Sequence, residues 1–317
     1  MRFASLLLLA ALELAPAQTL LVLNKEGSLA IVDPNARKVL ATVRTGEQPH
    51  EVAVSASGKL ACVSNYGGGA AGGKTLSIID IPGRQELHRV DLSPLARPHG
   101  VWMVGDKCWF TAEANKVIGR YDPASNSVDA IIGTGQNTTH MVLPLPDESK
   151  IFTSNIGSGT ITIIERNGTA NWTDTDVPVG KGPEGFDLSP DGKQIWAANS
   201  QDGSVTIIDV YTKRPIQTFS VGTKRSNRLK FSPDGRLVLI SDLDAGELLV
   251  LERDTKKDLK RIKLGRQPAG ILITPDSTRA FVAVTGDNNV AVINLGTLEI
   301  ADRLQTGNGP DGMAWIP

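Results

Sequence analysis

The sequence predicts an all-β fold, a seven-bladed β-propeller of four-stranded antiparallel blades, on three observations. A unit of about forty residues recurs with its turn residues in place. No helical hydrophobic period competes with it anywhere in the mature chain. The chain also opens and closes part-way through a unit.

The unit is clearest in "VGKGPEGFDLSPDGKQIWAANSQDGSVTIIDVYTKRPIQTFSVG". A glycine turn and Pro183 lead into an alternating strand with Phe186 and Leu188 on one face. Ser189-Pro190-Asp191-Gly192 is a turn, because proline presets φ, aspartate bonds its own backbone and glycine accepts positive φ. Strands are expected over 194–199, 204–209 and 215–221, giving a four-stranded meander.

First strands start at 49, 98, 139, 183, 226, 268 and 310, with spacings of 49, 41, 44, 43, 42 and 42 residues. Second strands are expected to end at Asn24, Asn65, Glu113, Asn155, Asn199, Asp242 and Thr285. The mature chain opens on a second strand ("TLLVLN") and closes after a first strand ("PDGMAWIP"). Pairing those two completes a seventh sheet, a three-plus-one closure that turns the repeat array into a ring.

Residues 1–17, "MRFASLLLLAALELAPA", have a positive start, a short apolar run and a small-residue cleavage pattern, the features of a secretory signal peptide. The expected product is one propeller domain over 18–317, periplasmic or secreted, monomeric and without membrane insertion. A net charge of −1 gives no general attraction to nucleic acid. The basic run from Arg253 to Arg266 is interrupted by Asp254 and Asp258 and is expected on a solvated outer strand. Cys62 and Cys108 fall on neighbouring blades one position out of phase, so their side chains are expected to face opposite ways as two buried free thiols.

The stretch "SPDGKQIWAANSQDGSVTIIDVYTKR" resembles the YVTN-type propeller repeats of exported bacterial proteins, over essentially all of 19–317. That resemblance implies the fold and export, and it covers binding proteins, lactonase-like enzymes and DNA-binding propellers. Locally, "RPHGVWMVGDKCWFTAEANKVIGRYDP" is similar to a repeat of the virginiamycin B lyase propellers. There a glutamate directly follows Trp-Phe-Thr; here Ala112 stands at that position and Glu113 comes one later.

First strands line a propeller's channel, and the loop before each opens on the same face as the loop between the second and third strands. The residue after each first-strand start is His50, His99, His140, Glu184, Asn227, Ala269 and Asp311. Three of four histidines thus share one repeat position in successive blades. Such a set is read either as polar residues at a wet channel mouth or as ligands for one divalent transition metal of the zinc type. Glu184 would then be a fourth ligand or general base. Arg228 replaces the glycine usual at the next position and, with Lys224 and Arg225, forms a cationic arc suited to a carboxylate ligand. Asn227, Asp311, Tyr66 and Glu113 complete the expected ligand-binding set on the rim.

The loop 65–75, "NYGGGAAGGKT", is read either as a flap beside His50 or as a tolerated insertion. His88 is expected on an exposed outer strand. Three functions follow: binding of a small molecule, anionic or neutral, or of a protein partner at the top face; a metal-dependent lyase or hydrolase; and, disfavoured by charge, DNA binding.

Overall fold

The computed structural model describes residues 18–168 and 171–316; segment 1–17, where a signal peptide is expected, lies outside them. Seven four-stranded antiparallel sheets form a ring. Blade 1 is the closing sheet, in the order Pro310–Ile316, Thr19–Asn24, Ser28–Asp33, Lys38–Arg44. Blades 2 to 7 follow in sequence, with innermost strands Pro49–Val54, Pro98–Val104, Thr139–Pro144, Pro183–Leu188, Ser226–Phe231 and Pro268–Ile273. The three-plus-one closure is explicit in the pairing of Leu20 with Trp315 and Leu21 with Ala314. Among the described residues no helix is long and apolar enough to cross a membrane.

Burial follows position in the blade. The middle strands are covered on both faces by neighbouring sheets, so Leu20 to Leu23 are all fully buried. The outermost strands, such as Gln85–Asp91 with His88, are largely exposed. The outer strand Asp258–Lys263 carries the basic run in water, where Arg261 and Lys263 both pair with Glu247. Asn65 and Asp242, at second-strand ends, accept from the turn amides of Gly46 and of Lys224 and Arg225. In two blades the strand stops one residue before the expected end, at Ala112 and Val284, and Glu113–Asn115 and Thr285–Asp287 form single 3-10 turns.

The cysteine expectation is corrected. Cys62 and Cys108 form a disulfide with their Cα atoms 6.3 Å apart. Their opposite parity is what makes this possible: blades stack so that the front of one sheet packs on the back of the next. Residues of opposite parity on neighbouring second strands therefore face each other, and both cysteines sit in the core shared by blades 2 and 3.

Candidate functional site at the channel mouth

Each first strand shifts its pairing register just after its start, as between Pro49 and Val52 or Thr139 and Met141. Such a bulge re-aims the side chains beside it. A hydroxyl on the second strand stabilises it in four blades. Ser64 accepts from the Glu51 amide and donates to the His99 carbonyl of the next blade at 2.6 Å. Thr111 accepts from Gly100 and donates to the His140 carbonyl at 2.9 Å. Ser154 accepts from Met141 and donates to the Glu184 carbonyl at 2.9 Å. Ser241 does the same for Arg228 and Ala269. His99, His140 and Glu184 are thus positioned by hydroxyls one blade back, which the sequence reading missed; the signal is a Ser or Thr just before the second-strand end in those blades only.

The seven residues at the repeat position converge on a cavity of about 260 Å³, with Ala269 from the blade without a polar group. The His50 and His99 rings meet edge to face at 4.8 Å, and those of His99 and His140 overlap at 3.7 Å. His50 Nδ1 lies 3.0 Å from His99 Nε2. His140 Nδ1 lies 2.5 Å from Glu113 Oε1, and Glu113 Oε2 accepts from the Tyr66 hydroxyl at 2.7 Å. The 3-10 turn carries Glu113 behind His140, buried, rather than onto the exposed rim. His99 Nδ1 and His140 Nε2 are buried and have no hydrogen-bond partner. Glu184 Oε1 stands 4.0 Å from His140 Nε2 and accepts from the Asn227 amide.

His99, Glu113 and His140 each offer a ligand atom within 4.8 Å of the others'. Both Glu113 oxygens are engaged, one by an imidazole and one by a phenol, so this carboxylate fits an orienting role better than a ligand's. Burial lowers the His50 pKa to about 4 despite Asp311 nearby, and burial with the neighbouring His140 and His50 puts His99 well below the ordinary histidine range. Burial, then Glu113, pushes the Tyr66 hydroxyl up.

Arg228 does not face the histidines as a free cation. It crosses the channel to an ion pair with Glu51, with Arg228 buried and Glu51 partly buried. Burial opposes its charge, but Glu51, Asp311 and Glu184 outweigh that and hold the guanidinium firmly protonated. Glu51 was also missed. It occupies the repeat position of Arg228, where Gly100, Gly185, Gly270 and Gly312 stand in other blades. A Cβ on Gly312 would meet the His50 carbonyl at 2.4 Å, and one on Gly270 the Asp311 carbonyl at 2.1 Å, so glycine lets neighbouring inner strands touch. Glu51 and Arg228, two exceptions of opposite charge, were the legible signal. Asp311 pairs with Lys25 at 3.2 Å, Arg225 reaches the cavity, and Lys224 is exposed away from it.

The loop 65–75 is held in place. Arg97 donates to the Tyr66 hydroxyl and to the Gly69 and Ala70 carbonyls, and Tyr66 packs on His50 at 4.7 Å.

Fold and site define a seven-bladed propeller with a polar, histidine-walled chamber at one end of its channel. The chain belongs to the YNCE-like beta-propeller family, whose model matches residues 145–314, more than half of its length. No curated protein matches it significantly in sequence. Solved structures match as a fold. A functionally unknown protein from Desulfotomaculum acetoxidans superposes with a TM-score of 0.78 at 12% identity, covering 94% of this chain and 98% of its own. The periplasmic gluconolactonase of Pseudomonas aeruginosa gives 0.75 at 16%, covering 95% and 99%. Hydrazine synthase of Kuenenia stuttgartiensis gives 0.75 at 18%, covering 87% and 92%. At these identities the likeness concerns the fold alone.

Proposed function

We propose that the chamber is a divalent-metal site of the zinc type that binds a small anionic molecule and acts on it as a hydrolase or lyase. The carrying observation is the pair of buried, unpartnered nitrogens, His99 Nδ1 and His140 Nε2. The other nitrogen of each ring is held, by His50 in one case and Glu113 in the other. Metal-ligating histidines are ordinarily fixed in this way from behind. An orphaned buried polar atom costs roughly 1–3 kcal/mol, which a bound cation would relieve. Glu184 would be the third ligand, His50 a supporting residue, and the remaining positions would face the cavity.

Charge favours a cation first. The lining cations Lys25, Arg225 and Arg228 stand against Glu184 and Asp311 in the wall and against Glu51 and Glu113, which pair with Arg228 and His140 from behind it, a formal sum of −1 with the histidines counted neutral. A divalent ion would reverse that sign and supply the attraction for a carboxylate that paired Arg228 does not. Such an ion polarises a carbonyl and activates water. Free of the ion, Glu184 would be the general base. Ester or lactone hydrolysis is the first reaction to assay, since the Pseudomonas aeruginosa protein of like fold is a gluconolactonase.

Export, the YVTN type and a monomeric state belong to the same reading. The leader-like residues 1–17 and the Cys62–Cys108 disulfide support an oxidising compartment. Elemental analysis of purified protein, before and after chelation and reconstitution, tests the proposal. About one equivalent of a transition metal is expected. Less than about a tenth of an equivalent after reconstitution would refute it.

A further inference from the structure

The Glu51–Arg228 pair divides the channel. Beyond it, toward the opposite face, lies a second chamber of about 310 Å³, with Glu51 and Arg228 in its wall. Its wall is richer in apolar side chains than that of the first. Met103, Met141 and Met313, three of the chain's four methionines, line it with Trp102 and Trp315. Valine, isoleucine and alanine side chains fill most of the remaining wall.

Trp102 is 37% exposed although it belongs to an innermost strand. Trp315 is already stacked on Phe281 at 5.8 Å, so Trp102 is the aromatic surface left for a ligand. Lys230 holds its ammonium 5.9 Å from the centre of the Trp102 ring. Its carboxylate partner, Asp187, is 3.4 Å away and outside the chamber lining. Glu51 and Arg228 cancel, so Lys230, paired with Asp187 behind it, is the cation the lining offers a ligand.

We propose that this lower chamber is a second binding site, independent of the metal reading, for a planar aromatic monoanion. The ring system would lie against Trp102 and the methionine thioethers, which are polarisable and adapt to flat π-surfaces. The acidic group would pair with Lys230 at the mouth. The volume is at the lower end of that usual for small-molecule pockets, which fits about two fused rings with one acidic group.

Titration calorimetry with 2-naphthoate and its neutral amide tests this on the whole protein. One equivalent of naphthoate is expected to bind. Trp102→Ala should weaken both probes by tenfold or more, on the order of one aromatic contact. Lys230→Met should weaken naphthoate about tenfold and leave the amide unchanged, the value of one charge-assisted contact. His140→Ala should change neither, which separates this site from the upper one. Absence of saturable binding, binding indifferent to Trp102→Ala, or binding lost in His140→Ala would each overturn the proposal. Because Trp102 is partly exposed and Lys230 is a surface-reaching side chain, both variants should fold.

Discussion

Glu51 and Arg228, 177 residues apart in sequence, form an ion pair across the channel, Arg228 buried and Glu51 partly so, and separate a polar chamber from a more apolar one. Removing one partner leaves a buried charge without compensation, at a cost of roughly 3–5 kcal/mol. Glu51→Gln should therefore lower the urea-unfolding free energy by that order. Glu51→Leu combined with Arg228→Leu should cost clearly less than the two single changes together. Additive losses would mean the pair is not coupled.

The disulfide closes a loop with a sequence separation of 46 residues, for which chain entropy suggests a contribution on the order of 4 kcal/mol. Denatured, unreduced protein should show no thiol to an alkylating reagent and two after reduction. Replacing both cysteines by serine should lower the melting temperature by roughly 5–15 °C. Two reactive thiols before reduction would contradict the bridge.

His50 gives a pH dependence with a definite sign in metal-free protein. Its pKa is about 4 in the fold against 6.5 unperturbed, chiefly through burial among His99, Asp311, Lys25, Arg228 and His140. The unfolded chain takes up the proton first, so this contribution is complete above pH 6.5 and is lost as pH falls toward 4. Its full size is on the order of 3 kcal/mol. Urea denaturation at pH 7 and pH 4.5 should show a shallower loss for His50→Gln than for wild type. Equal slopes would remove His50 from the account.

Glu113 is assigned a supporting role behind His140, and that role predicts a graded effect. Glu113→Gln should retain metal stoichiometry while weakening affinity by about 10–100-fold. A substituted protein that binds no metal would make Glu113 a ligand instead, and unchanged affinity would make it a bystander.

Much of the fold was legible because turn chemistry repeats. All seven first strands begin at the expected residue, and the ring closes with the expected strands. The convergence of His50, His99 and His140 was legible for the same reason, since one repeat position faces one channel mouth. What one strand's pattern cannot show is what faces it across a gap. The cysteine parity suggests divergence in sequence, but stacked sheets meet front to back, which alternation within a sheet does not reveal. Arg228 was read as a free cation because Glu51 lies across the ring. The division of labour among the histidines depends on which ring nitrogen each neighbour takes, and Glu113 reaches His140 only because a 3-10 turn replaces the end of its strand.

Zinc titration calorimetry on chelator-stripped protein decides whether His99 and His140 hold a metal ion as proposed. Wild type should bind one equivalent, and His99→Ala and His140→Ala should each abolish it at unchanged melting temperature. Zinc binding that survives both substitutions, or no binding by wild type at neutral pH, would contradict the account.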